Sequence, residues 1–331
     1  MTDARTEPQP RDLIVIGAGP IGLATAIEAQ RAGLNALVIE KGALVNSFVG
    51  YPTNMELFST PDLIEIGGYP LVCRGYKPLR EECLDYYRRV AAAEEVEVRL
   101  YEPVTGLEGE AGAFTVVTER GRYPGRAVAA ATGFFDVPNR LGVPGESLPK
   151  VTHYFKEPYP YAGQRVAVIG AKNSAAKAAL ACQRHGADVT LVHRGPEVSS
   201  SVKYWIRPNL VNRIRDGAIR AFFDTELVEI RPDSLLLRTP DGPVELGNDW
   251  VLAMTGYRPN YPLLEALGVA FEGPHRKPVV DMETMETNRP GVYLAGTVCG
   301  GLDTSEWFIE NGRDHARRLV GHVAQRAAVA A

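Results

Sequence analysis

Two stretches of the chain share one pattern. DLIVIG at 12–17 and RVAVIG at 165–170 are short apolar runs, each ending on a glycine. An unbroken apolar run of that length predicts a strand buried on both faces, as in a parallel sheet. AGPIGLATAIEA follows Gly17 and AKNSAAKAALAC follows Gly170, both rich in alanine and helix-forming. These helices are expected to stop at Gly33 and Gly186, because glycine tolerates the left-handed turn that ends a helix. Second apolar strands then read ALVIE at 36–40 and VTLVH at 189–193. The acid Glu40 and the base His193 each stand 23 positions beyond their glycine, Gly17 and Gly170. The chain therefore carries two βαβ units in one register.

The remaining pattern extends both units. FTVVT at 114–118 predicts a strand, and AVAAATG at 127–133 a strand running out into a loop. WVLAMTG at 250–256 repeats that exit, and each exit is followed by a Pro-Asn pair, Pro138-Asn139 and Pro259-Asn260. Residues 141–164, rich in Pro, Gly and Tyr, read as the crossover between domains. GVYLAG at 291–296 predicts a last strand, followed by a helix starting near Thr304. The expected fold is α/β with two Rossmann-like dinucleotide-binding domains, the second inserted into the first. The first is expected over 1–155 and 281–331, and the second over 156–280. Alternating strands and helices predict parallel sheets.

The loop Gly17-Ala18-Gly19-Pro20-Ile21-Gly22 reads G-x-G-x-x-G between strand and helix. The first glycine makes a tight turn, the second admits a pyrophosphate to the backbone, and the third lets helix pack on strand. The helix N-terminus adds free N–H groups and a positive dipole end. Glu40 can accept hydrogen bonds from both ribose hydroxyls. The second loop has Lys172 at the middle glycine and Ala175 at the third. Lys172 either meets a phosphate or is an ordinary exposed lysine in a first helical turn. Where the first unit has Glu40, the second has His193-Arg194. A carboxylate repels a 2′-phosphate, whereas Arg binds one bidentately, so the second unit is expected to take NADPH and the first FAD. Lys203 either adds to that phosphate site or is a solvated loop lysine.

Composition narrows the reading. At 331 residues the chain has room for two cores. It has 36 Lys+Arg against 40 Asp+Glu, a net −4, which disfavours binding that depends on neutralising a nucleic-acid backbone. Cys73, Cys83, Cys182 and Cys299 include no CxxC pair, so neither a zinc knuckle nor a thioredoxin-type dithiol is expected. The longest apolar stretch, 13–27, is broken by glycines and a proline. It follows the acidic, proline-bearing start MTDARTEPQPRD. Neither a signal peptide nor a membrane span is expected, and the expected compartment is the cytoplasm.

Across nearly its whole length the chain resembles the two-dinucleotide-binding flavoproteins laid out like thioredoxin reductase. The resemblance rests on GAGPIG with Glu40, on the exits Ala131-Thr132-Gly133 and Met254-Thr255-Gly256, and on LAGTVCGG at 294–301. Within that group it resembles the YpdA-like bacillithiol disulfide reductases, through VNSFVGYPTNMELFSTPDLIEIG (45–67), VIGAKNSA (168–175) and FIENGRDHA (308–316). This implies a homo-oligomeric, NADPH-dependent FAD enzyme that reduces a low-molecular-weight disulfide. The cofactor contacts implied are Gly17, Gly19, Pro20, Gly22, Glu40, Lys41, Thr132, Gly133, Gly296 and Thr297 in the first unit. In the second they are Gly170, Lys172, Asn173, Ser174, His193, Arg194 and Gly256. No side chain is expected to carry the hydride, which belongs to the flavin, and no metal is expected.

Three departures from the group matter. The dithiol positions of thioredoxin reductase fall on His153 and Lys156. The cysteine that YpdA-like reductases of Gram-positive bacteria carry in the first glycine motif is Ile21 here. The aspartate that bonds the ribityl chain is Thr297, which keeps one hydrogen bond. Cys299 is either a thiolate favoured by the following helix N-terminus or a small packing residue. Cys73 and Cys83 read as ordinary thiols, and His153 as a linker histidine with a packing or hydrogen-bonding role. Tyr51, Tyr154 and Trp307 are either core or stacked near flavin or substrate. Two other functions stay open: a ferredoxin- or flavodoxin-NADP reductase of the same architecture, and a cofactor-occupied redox sensor that turns over slowly. The C-terminal stretch VGHVAQRAAVAA has no aromatic to cover a flavin, which counts against the former.

Overall fold

A computed structural model of the chain describes residues 9–330. The first eight residues, on which part of the targeting reading rests, lie outside the described residues. The described chain divides into two compact units. One runs up to Val49, then over Asn54–Val137 and from Tyr257 onward; the other comprises Gly50–Thr53 and Pro138–Gly256.

The first unit is built on a seven-stranded sheet. β1 (Arg11–Ile16) runs into helix α1 (Pro20–Arg31) and returns as β2 (Ala36–Ile39). β3 (Val98–Arg99) extends the parallel edge, and β4 (Val104–Glu110), β5 (Ala113–Thr118) and β6 (Arg122–Ala130) follow. β1 lies between β2 and β6 in parallel register, Leu13 facing Ala36 on one side and Ala127 on the other. The C-terminal strand Val292–Leu294 adds to the far side of β6, again parallel. Leu13–Ile16 are buried because both faces of the sheet are covered. Pro20 opens α1 at a position whose N–H would have no helical partner. Gly33, at φ +76°, closes it, its N–H donating to Gln30 O.

The second unit holds β7 (Val151–Thr152), β8 (Arg165–Ile169), helix α2 (Asn173–Arg184), β9 (Asp188–Val192) and β10 (Arg220–Phe222). A meander β11 (Glu226–Ile230), β12 (Ser234–Thr239), β13 (Gly242–Gly247) then leads into β14 (Trp250–Ala253). The parallel sheet runs in the order β10-β9-β8-β14-β7. Alternation along β8 sends Val166 and Val168 toward α2, and Ala167 and Ile169 toward Leu235 and Leu237 of the meander. That two-sided cover is why β8 reads as a continuous apolar run. Each fully buried Val, Leu or Ile side chain contributes about 1.5–3 kcal/mol.

The structure corrects the sequence reading in three places. The β4–β5–β6 arm and the β11–β13 meander are antiparallel, not parallel. Short strands alternate in burial whichever way their neighbour runs, so pattern alone did not give direction. Residues 141–164 are not a free crossover. β7 pairs with β14, and Leu141 N and Gly142 N both donate to Glu146, so the chain enters the second unit before residue 155. The last helix begins at Ile309 rather than near Thr304.

The base of the second unit is tied by a bidentate pair. Arg165 donates from Nη2 to Asp249 Oδ1 at 2.6 Å and from Nε to Oδ2 at 3.1 Å. These bonds hold the Asp249 carboxyl down at about 2, against 3.8 unperturbed. The folded pKa is depressed, so this stabilisation is present above pH ~4 and is lost as pH falls toward 2. Asp249→Asn is therefore expected to flatten the loss of thermal stability between pH 4 and pH 2 while leaving its slope above pH 5 unchanged, as read by melting curves.

Candidate functional site

In the first unit the strand-to-helix turn is built as a backbone cradle. Gly17 sits at φ +105°, and a Cβ there would lie 2.7 Å from Ala131 O. A Cβ on Gly22 would lie 1.8 Å from Gly17 O, so the third glycine is the close-packing position. A Cβ on Gly19 would have nothing within 4 Å. Only that second glycine faces open space, which is where a pyrophosphate needs backbone access.

Glu40 ends β2 at 6% exposure. Its Oε2 accepts from Ala18 N and its Oε1 from Gly42 N, both at 2.8 Å. Burial raises its pKa, and the two backbone N–H groups oppose that rise. A carboxylate has about four acceptor sites, so two remain for ribose hydroxyls. Lys41 turns away to pair with Asp136 at 2.9 Å. Thr132 Oγ1 is buried and has no hydrogen-bond partner among the described residues. Gly133 stands beside Thr297, its would-be Cβ 3.4 Å from Thr297 Oγ1. The exits of β6 and of the C-terminal strand thus converge, since Leu294 pairs with Ala130. An open glycine, a buried ribose acceptor and an orphaned hydroxyl at one sheet end fit a flavin dinucleotide.

The second unit repeats the turn with other side chains. Gly170, at φ +121°, would place a Cβ 2.6 Å from Met254 O. Ala175 takes the third position, its Cβ within 3.6 Å of that spot. Lys172 caps α2 and is exposed. Asn173 works as a clamp, donating to Ser201 O at 3.3 Å and accepting from Lys203 N at 2.9 Å, while Ser174 stays exposed. Gly256, at φ +86°, accepts at its carbonyl from Asn139 N. His193 is half-buried, and burial together with Arg194 beside it lowers its pKa from the usual imidazole value. Arg194 is exposed and makes no ion pair or hydrogen bond among the described residues. A tight turn at Gly170 followed by the exposed Lys172, with a free guanidinium just past the second strand, fits a phosphorylated nicotinamide nucleotide. Lys203 lies 5.9 Å from the Trp205 ring centroid.

Three of the four thiols are buried in this fold. Cys299 lies in the 3₁₀ turn Gly296–Gly300, 5% exposed, and burial pushes its thiol up to about 12. The turn packs against the helix that begins at Ile309, but desolvation outweighs any pull of that helix on the thiol, which favours the packing reading. Burial also pushes Cys83 and Cys182 up to about 12, and the Cys73 thiol donates to Gly75 O. Cys299→Ser is expected to change flavin content and turnover by less than about twofold; loss of more than tenfold would restore a role for the thiol. His153 is buried and bonded to Glu146 at 3.1 Å, a hydrogen-bonding role.

The same turn reveals a residue that the sequence reading passed over. His315 accepts at Nδ1 from Gly296 N at 3.1 Å, and Trp307 packs against its ring at 4.4 Å. Only the match FIENGRDHA had touched it, and no local spacing marks it.

With this geometry in place the chain can be set beside known proteins. Residues 14–296 match the family model described as pyridine nucleotide-disulphide oxidoreductase. The chain belongs to that family. It is accordingly an oxidoreductase, of a family that couples a flavin to a nicotinamide nucleotide. The bacilliredoxin reductase of Bacillus subtilis (strain 168) is 41% identical over 95% of this chain and 97% of its own. The solved bacillithiol disulfide reductase of Bacillus cereus is 40% identical, with a TM-score of 0.93 over 96% of this chain and 100% of its own. The thioredoxin reductase of T. acidophilum superposes with a TM-score of 0.74 over 97% of this chain and 100% of its own; at 21% identity it shares the fold. Among the described residues no helix is long and apolar enough to cross a membrane.

Proposed function

We propose that the protein is an NADPH-dependent, FAD-containing reductase of a low-molecular-weight disulfide of the bacillithiol type. One observation carries the cofactor assignment. Two copies of one βαβ unit differ just beyond their second strands: the first has the buried carboxylate of Glu40 where the second has His193, followed by the exposed guanidinium of Arg194, and Lys41, which follows Glu40, is tied to Asp136. The first can serve a ribose diol but repels a 2′-phosphate; the second attracts one. The substrate class rests on the relatives named for bacilliredoxin and bacillithiol disulfide.

The flavin, when bound, supplies the two-electron step between the nicotinamide and the disulfide. The balance is NADPH + RSSR + H⁺ giving NADP⁺ and two RSH. The chain's own part is to bind and orient. Gly19 admits the pyrophosphate, Glu40 takes the ribose, and Thr132 and Thr297 offer hydroxyls at the sheet end. With no sulfur at Ile21 and a buried Cys299 thiol, neither residue would relay electrons, and a bound flavin would supply the two electrons to the disulfide. The resemblance also supports a homo-oligomer in the cytoplasm, with FAD on the unit that runs up to Val49, over Asn54–Val137 and from Tyr257 onward, and NADPH on the unit of Gly50–Thr53 and Pro138–Gly256.

Anaerobic NADPH consumption by the FAD-loaded protein tests this, supplied in turn with bacillithiol disulfide and with ferredoxin. The expected result is two thiols formed per NADPH with the disulfide, and no turnover with ferredoxin. Turnover with ferredoxin alone means a single-electron reductase. Turnover with neither favours the sensor reading.

A further inference from the structure

The Gly296–Gly300 turn is held from three sides within the first unit. Gly296 is at φ +81°, in the left-handed region, and a Cβ on it would lie 2.9 Å from Ile21 Cγ1. Behind it, Gly312 of the C-terminal helix approaches so closely that a Cβ there would lie 3.1 Å from Gly296 Cα. One helical turn on, His315 receives the Gly296 N–H at Nδ1. Receiving that proton donor requires a lone pair on Nδ1, so the ring proton sits on Nε2. The ring is 1% exposed, and Nε2 has no hydrogen-bond partner among the described residues. Burial, with Arg318 on the same helix, drives the imidazole pKa down to about 4, so the ring stays neutral at physiological pH. A buried N–H left unpaired is costly. An acceptor supplied on cofactor binding would remove that cost.

We propose that His315 is a positioning residue for the flavin: Nδ1 locks the Gly296–Thr297 turn, and Nε2–H donates to an acceptor that the bound flavin brings or orders. The proposal rests on the FAD reading of the first unit. The turn is the natural place for such control. Thr297 follows Gly296 directly and stands against Gly133, beside the orphaned Thr132 hydroxyl. A shift of the Gly296 peptide would therefore carry Thr297 away from the sheet end where the dinucleotide is expected. Trp307 against the imidazole fixes the ring plane, and Cys299 Sγ, 3.9 Å from Nδ1, fills the remaining side.

The test titrates FAD into flavin-stripped protein and records affinity, the flavin's visible absorption band and the melting temperature of the stripped protein. His315→Leu is expected to bind FAD at least tenfold more weakly, with a displaced visible band and a stripped-protein melting point within about 2 °C of wild type. His315→Gln, whose amide both accepts and donates, is expected to recover affinity to within about threefold. Wild-type affinity and spectrum in the leucine variant would overturn the proposal. So would a loss that tracks a lower melting point without rescue by glutamine. Should His315→Leu not fold, His315→Phe is read in its place; if neither folds, the ring is structural and the proposal fails. Wild-type stripped protein that takes up no FAD would instead refute the flavin reading itself.

Discussion

Gly19→Ala and Gly22→Ala are expected to abolish flavin retention for different reasons. At Gly22 the added Cβ would meet a backbone oxygen at 1.8 Å. α1 would have to leave β1, loosening contacts made by Leu23 and Ile27, both fully buried. The expected destabilisation of the stripped protein is about 3 kcal/mol or more. At Gly19 the Cβ meets nothing, and the backbone is at φ −73°, ordinary for any residue. Alanine there costs at most about 1 kcal/mol as a poorer helix cap. Yet the methyl occupies the space a pyrophosphate needs, so FAD binding is expected to fall more than about tenfold. Melting curves and flavin-to-protein absorbance ratios separate the two. A Gly19→Ala protein as yellow as wild type would show that the phosphates lie elsewhere.

The second large effect is on nucleotide choice. Arg194→Glu is expected to lower kcat/KM for NADPH about 100-fold while changing that for NADH by less than about threefold. The estimate follows from losing charge-assisted hydrogen bonds to a dianion, each worth about 1.5–3 kcal/mol, and from adding a repulsive charge. Arg194 makes no ion pair or hydrogen bond among the described residues, so its replacement disturbs no packing. Stopped-flow flavin reduction with each nucleotide gives the ratio. An equal fall with both would mean that Arg194 does not read the 2′-phosphate.

Much of the cofactor machinery is legible before any folding. Gly17, Gly19 and Gly22 are set by local geometry at a strand-to-helix turn, and Glu40 and His193 by a fixed distance along one βαβ unit, with Arg194 next to the latter. These are short-range constraints, and the repeat writes them twice. Other features belong to contacts between distant segments. The direction of the β4–β6 arm depends on which neighbour a strand pairs with, and strands of either direction carry the same alternation. The state of Cys299 depends on burial, which overrides any argument from a following helix. That helix starts late: Phe308 N donates to Asn311 Oδ1, and the chain before it forms turns rather than helix.

The sequence by itself determined the two βαβ units and their order, and it marks the difference between Glu40 and His193-Arg194 on which the proposed cofactor division rests, because each lies within about one βαβ span. Only the tertiary structure decided which thiols are buried, that Asn173 clamps a loop, and that His315 holds the Gly296 turn from nineteen residues away. The physical reason is the same each time: burial and hydrogen-bond partners are properties of the surroundings, and those surroundings are assembled from segments that the chain keeps far apart.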